Sequence, residues 1–213
     1  MARRVRQFSL KGARVKIKRN FTKHMMKGKT PTSVVRGVQR RFRTAHTKLK
    51  TEFESHPITR EIEAGPSATN ISGTLGGSGN LFSFLGFYDT DAPITVVRSF
   101  INSIKLKLAP KRKALSDGRV LFEFNVQALG TKEGLYNDTR LSWLGKSWVK
   151  GVESGLSGLG YYLYLSAYDF PGSRSGVAIQ SKPPRKVRNL VYRPTKYISM
   201  LLRDFNKNLK KIS

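Results

Sequence analysis

The 213-residue chain contains no cysteine, which removes a disulfide framework, a thiolate zinc site and a cysteine nucleophile from consideration. Acids are the next shortage. Thirteen Asp and Glu stand against 40 Lys and Arg, leaving few candidates for paired-carboxylate catalysis. The three histidines, His24, His46 and His56, lie in or beside the basic N-terminal region without ligand or triad spacing. No apolar run approaches the roughly 18 residues of a membrane-spanning helix, and no signal-peptide hydrophobic segment follows the basic start. The expectation is a soluble protein made inside the cell. The glycines from 73 to 79 lack both the Lys-Ser/Thr of a P-loop and the spacing of a dinucleotide fingerprint. Gly155-Leu156-Ser157-Gly158 lacks the closing glycine of a nucleophile elbow. Asp89 and Asp91 fall short of a calcium loop and suit a turn. No catalytic residue, metal site or cofactor is expected, and the chain reads as a non-enzyme.

What is present in excess is positive charge, a formal +27. A balance so far beyond what solubility requires points to a polyanionic partner, nucleic acid above all, because each neutralised phosphate releases counterions. An anionic membrane surface or an acidic protein would answer the same charge. Residues 1–51 hold seventeen Lys or Arg and no Asp or Glu. Residues 1–30 read as a basic arm, either disordered or ordering against a partner, with Val15 and Ile17 alternating with lysines as a short extended segment would. Their Arg-rich, acid-poor composition matches a mitochondrial transit peptide too, but no clear cleavage site follows. Residues 31–213 are expected to form one domain.

From Thr32 the spacing becomes helical: Val34, Val38, Phe42, Ala45, Leu49 and Phe53 form one apolar stripe, and Ser55-His56-Pro57 ends it. His56 is expected to orient that helix end. A neutral stretch follows, uncharged from Ala64 to Tyr88. Its Gly-rich part, 64–80, reads as a contact loop, and Leu81 to Phe87 as a buried strand. Ile94 to Ile101 suits a short helix. Ile104, Leu106 and Leu108, then Val120, Phe122, Phe124 and Val126, alternate as two strands of a hairpin joined by a basic connection, Pro110 to Gly118. Gly130 to Asp138 reads as a polar loop and 141–154 as a helix. Tyr161 to Leu165 has strand composition, and 172–188 forms a basic loop. Thr195 opens a terminal helix with an Ile198, Leu201, Leu202, Phe205 and Leu209 stripe. The expected fold class is α+β, an antiparallel sheet with a long basic N-terminal helix, a middle helix and a C-terminal helix.

The blocks HPITREIEAGPSATNISGTLGGSGNLFSFLGF, GKSWVKGVESGLSGLGYYL, SRSGVAIQSK and TKYISMLLRDF resemble, in order and texture, structural proteins of tailed bacteriophages placed among the neck and tail genes. The resemblance spans about Val34 to Phe205. It implies a virion subunit at the head-to-tail junction or along the tail, tail-completion or tail-terminator-like, assembled in the host cytoplasm as a homo-oligomeric ring with other virion proteins as partners. On that reading the neutral loop supplies the subunit interface through Gly73, Leu75, Gly76, Gly77, Gly79 and Asn80, since glycine tolerates close approach and lack of charge avoids buried ions. Arg3, Arg4, Arg6, Lys16, Lys18, Arg19, Arg36, Arg40, Arg41 and Arg43 would face DNA or an acidic neighbour, without membrane contact. The alternative is a non-specific nucleic-acid-binding protein of the ribosome-associated kind.

Overall fold

The computed structural model describes the chain apart from residues 1–13, 21–28, 76–79, 118, 129, 142–144, 156–161, 164–179, 182–191 and 211–213, and gives the backbone alone for 14–20, 162–163 and 180–181. The fold is α+β, as the sequence implies. It divides into two compact units. Unit 1 comprises residues 1–51, 100–132 and 200–213, and unit 2 comprises 52–99 and 133–199. Each is described separately.

Unit 1 is built on strand β4, Arg119–Gln127, whose Val120, Phe122, Phe124 and Val126 are buried at alternate positions, the period-two pattern of a strand with one covered face. Strand β1, Arg14–Asn20, pairs antiparallel along it from Arg14↔Asn125 to Asn20↔Arg119. The supposed arm therefore contributes a strand. Strand β2, Lys105–Leu106, pairs with Gln127 and Val126. Strand β3, Lys111–Ala114, pairs with Glu123 to Val120, the stretch that β1 also pairs, and so occupies the opposite edge. The expected hairpin is present, but its partner strand falls partly within what read as a loop. Lys111, Lys113 and Ala114 are exposed, so backbone pairing and not apolar alternation makes β3.

Helix α1, Thr32–Glu54, begins in unit 1, where Val34, Val38, Phe42, Ala45 and Leu49 are buried as the stripe predicts. Helix α7, Ile198–Lys210, brings Leu201, Leu202, Phe205 and Leu209 to the same core. Phe42 and Phe205 meet edge to face at 6.2 Å and 74°, a geometry the ring quadrupoles favour. His46 packs beside both rings. Its Nε2 lies 2.9 Å from the Ile101 carbonyl oxygen, which can only accept, so this nitrogen carries the proton.

Among its described residues unit 2 is mainly helical, with strands β5, Tyr162–Leu163, and β6, Gln180–Ser181, paired antiparallel. Helix α2, Pro57–Glu63, is capped by His56, whose Nδ1 accepts from Ile58 N at 3.3 Å, as the sequence suggested. The run Leu81–Leu85 is helix α3, not a strand. Asn80 Oδ1 caps its start through Ser83 N at 2.9 Å, and Gly86 ends it in the left-handed region at φ 76°. A short apolar run cannot choose between helix and strand by period; the flanking Asn and Gly decide it. Helix α4, Pro93–Asn102, starts here with Ile94 and Val97 buried. Helix α5, Lys132–Asp138, occupies the expected polar loop, and the middle helix is only α6, Trp148–Ser154. Ser147 caps α6 through Lys150 N and meets Thr139 Oγ1 at 2.8 Å.

An aromatic chain forms the centre of unit 2. Phe82, Phe87, Trp148, Tyr197 and Phe53 follow one another at centroid distances of 5.4 to 6.4 Å, and His56 lies 4.7 Å from Tyr197. The buried Tyr197 hydroxyl is 2.7 Å from Thr59 Oγ1, which satisfies both groups. Helix α7 begins against this cluster, and its first N–H groups are met by Glu153: Oε1 accepts from Tyr197 N and Ser199 N at 3.3 and 2.6 Å. Thr195, the expected cap, instead donates to the Arg193 carbonyl.

Candidate functional site: the basic face of helix α1

Charge is distributed unequally between the units. Unit 1 has 28 Lys and Arg against 3 Asp and Glu, whereas unit 2 has 12 against 10, so +25 of the net +27 belongs to unit 1. A nearly balanced unit is coupled in sequence to one that strongly attracts anions.

Within unit 1 helix α1 carries six of the described basic side chains, and residues 105–119 carry another six. At about 100° per residue, Arg36 and Arg43 fall within about 60° of Arg40, on the side opposite the buried stripe. All three are exposed. They line a concavity with Ser33, Gly37, Gln39 and Thr44. The first carboxylate in the chain is Glu52, so no acid on α1 answers them before its final turn. Arg41 is exposed but sits on the flank, about 100° from Arg40. Of the strand residues expected to contact an anion, Lys16 and Lys18 register opposite Glu123 and Leu121, and Arg19 opposite Val120. Arg3, Arg4 and Arg6 lie outside the described residues.

The neutral loop is organised differently from the expectation. Leu75 is 1% and Asn80 5% exposed. Asn80 Nδ2 donates to the Pro66 and Ala68 carbonyls at 2.8 and 3.0 Å, so with its cap the amide is fully used inside unit 2. Leu75 and Asn80 thus serve as core and scaffold residues within unit 2. Gly73 is exposed with φ 64°, a backbone that favours glycine. Gly76, Gly77 and Gly79 lie outside the described residues.

The residue that sequence reasoning missed is Glu61, fully buried on α2. Its Oε2 accepts from Ser72 N at 2.6 Å and its Oε1 from Leu81 N at 2.7 Å. One carboxylate therefore holds both ends of the Gly-rich segment. The available signal was its position in the apolar pattern of Ile58 and Ile62, where a solvated acid would not be placed.

Among the described residues no three His, Asp or Glu are grouped to hold a metal ion, and no helix is long and apolar enough to cross a membrane. Burial holds the imidazoles of His46 and His56 below their ordinary value. The hydroxyls of Tyr136, Tyr192 and Tyr197 are pushed up by burial, with Glu153 adding to it, which keeps them protonated at neutral pH. A second concavity, on α5 and α6, carries Glu133 as well as Arg140, Lys146 and Lys150, so it presents a mixed field. The chain matches no protein-family model, no curated protein and no solved structure.

Proposed function

We propose that this chain is a non-enzymatic structural subunit of a tailed-bacteriophage virion, placed at the head-to-tail junction and assembling as a ring. Unit 1 faces DNA or an acidic neighbour, and unit 2 supplies contacts between subunits. The observation that carries the reading is the segregation of charge: +25 in one compact unit and +2 in the other. A subunit lying between packaged DNA and other proteins needs such a division, because like-charged surfaces repel when copies are brought together. The resemblance of the neutral loop and the C-terminal blocks to neck and tail proteins supports the same station. Gly73 and the glycines at 76, 77 and 79 remain the loop's interface residues on this reading, while Leu75 and Asn80 are buried within unit 2.

Light scattering of the purified full chain, at low and high salt and with or without short duplex DNA, tests the proposal. A discrete multimer that persists at high salt without DNA is expected. A monomer that gathers only on DNA and releases it as salt rises would overturn the ring and favour the second reading, a non-specific nucleic-acid-binding protein, which the undivided basic field of unit 1 also fits.

A further inference from the structure

Gly37 is out of place in α1. It lies inside the helix without a positive φ, and a Cβ added to it would meet no atom within 4 Å. Glycine weakens a helix interior relative to alanine, and among the described residues no packing contact requires one here. It lines the same concavity as Arg36, Arg40 and Arg43. A glycine that no described side chain packs against, bordering three cations, leaves room for the close approach of something anionic from outside.

We propose that the face formed by Arg36, Gly37, Arg40 and Arg43 docks onto the sugar-phosphate backbone of duplex DNA, with the helix lying close enough at Gly37 for its backbone to contact the strand. The inference rests on the reading of unit 1 as the polyanion-facing unit and adds which surface engages and how. Guanidinium forks suit phosphate oxygens better than a point charge does. Three of them lie within about 10 Å of helix axis, and duplex DNA offers one charge per about 1.7 Å of its own axis. The remaining lining residues, Ser33, Gln39 and Thr44, are hydrogen-bonding groups of the kind that contact phosphate. They lack the large apolar side chains by which a basic helix enters a membrane surface. Phosphate contact carries no base information, so the binding is independent of sequence.

The test uses the full chain, two short duplexes of unrelated sequence and a salt titration followed by fluorescence anisotropy. Arg36→Gln/Arg40→Gln/Arg43→Gln is expected to reduce the slope of log K against log salt by about 2.7, equally on both duplexes, at about 0.9 per phosphate contact. Gly37→Leu retains every charge and introduces a good helix former, and is expected to bind about tenfold more weakly with a melting temperature equal to or above the parent's. An unchanged slope in the triple variant overturns the proposal, as does a loss confined to one duplex. Undiminished binding by Gly37→Leu overturns the close approach. Competition by polyglutamate at concentrations where DNA does not compete would assign the face to an acidic protein instead. Particle mass at high salt without DNA separates the two proposals: loss of the multimer sinks the ring, whereas an intact multimer with an unaltered slope sinks only this surface.

Discussion

Glu61 shows how much a single carboxylate can organise when it is buried among backbone donors. Its two charge-assisted bonds, to Ser72 N and Leu81 N, are each worth about 1.5–3 kcal/mol. Glu61→Ala is therefore expected to destabilise the protein by about 3–5 kcal/mol, read from the midpoint of urea unfolding. Little of this was legible in advance, because the role depends on where Ser72 and Leu81 arrive, and tertiary packing determines that. His56 was legible. A histidine directly before the proline that opens a helix has few other places to direct its ring, and Nδ1 does cap α2. Leu75 and Asn80 were not legible as buried: their neighbours are small and polar, which suggests surface, yet both are inside, Asn80 with its amide donating to the Pro66 and Ala68 carbonyls.

Among the elements, the two terminal helices were the most readable, since their stripes repeat over several turns and every expected apolar position is buried. Short elements were not. Helix α3 is set by Asn80 and Gly86, helix α5 buries only Lys132 and Leu135, and β3 pairs along the edge of β4 that β1 leaves open. The start of α7 depends on another element. Glu153 on α6 accepts from Tyr197 N and Ser199 N and also from the Tyr136 hydroxyl at 3.1 Å. A carboxylate at this end also complements the helix dipole. Glu153→Ala is expected to cost about 1–3 kcal/mol in thermal or denaturant unfolding, with Glu153→Gln recovering part of it through its amide oxygen.

At the scale of the whole molecule, the charge count was plain from composition, but its confinement to one unit was not, because unit 1 is assembled from three separate stretches of chain. With 28 cations against 3 anions, that unit repels itself. Moderate salt is therefore expected to raise the melting temperature of the isolated protein by screening the repulsion. Duplex DNA should raise it at low salt, and that gain should shrink as salt increases. A melting temperature that falls steadily with added sodium chloride in the absence of DNA would contradict this account. The Glu61 clasp has a different kind of consequence. Because a side chain outside the Gly-rich segment holds its ends at Ser72 and Leu81, closing the segment does not rest on its own residues alone. Lengthening such a loop costs only about 0.6 kcal/mol for each doubling. The clasp therefore acts as a fixed socket, and related chains could extend or shorten the segment to suit a different neighbour as long as Leu75 and Asn80 keep their buried places.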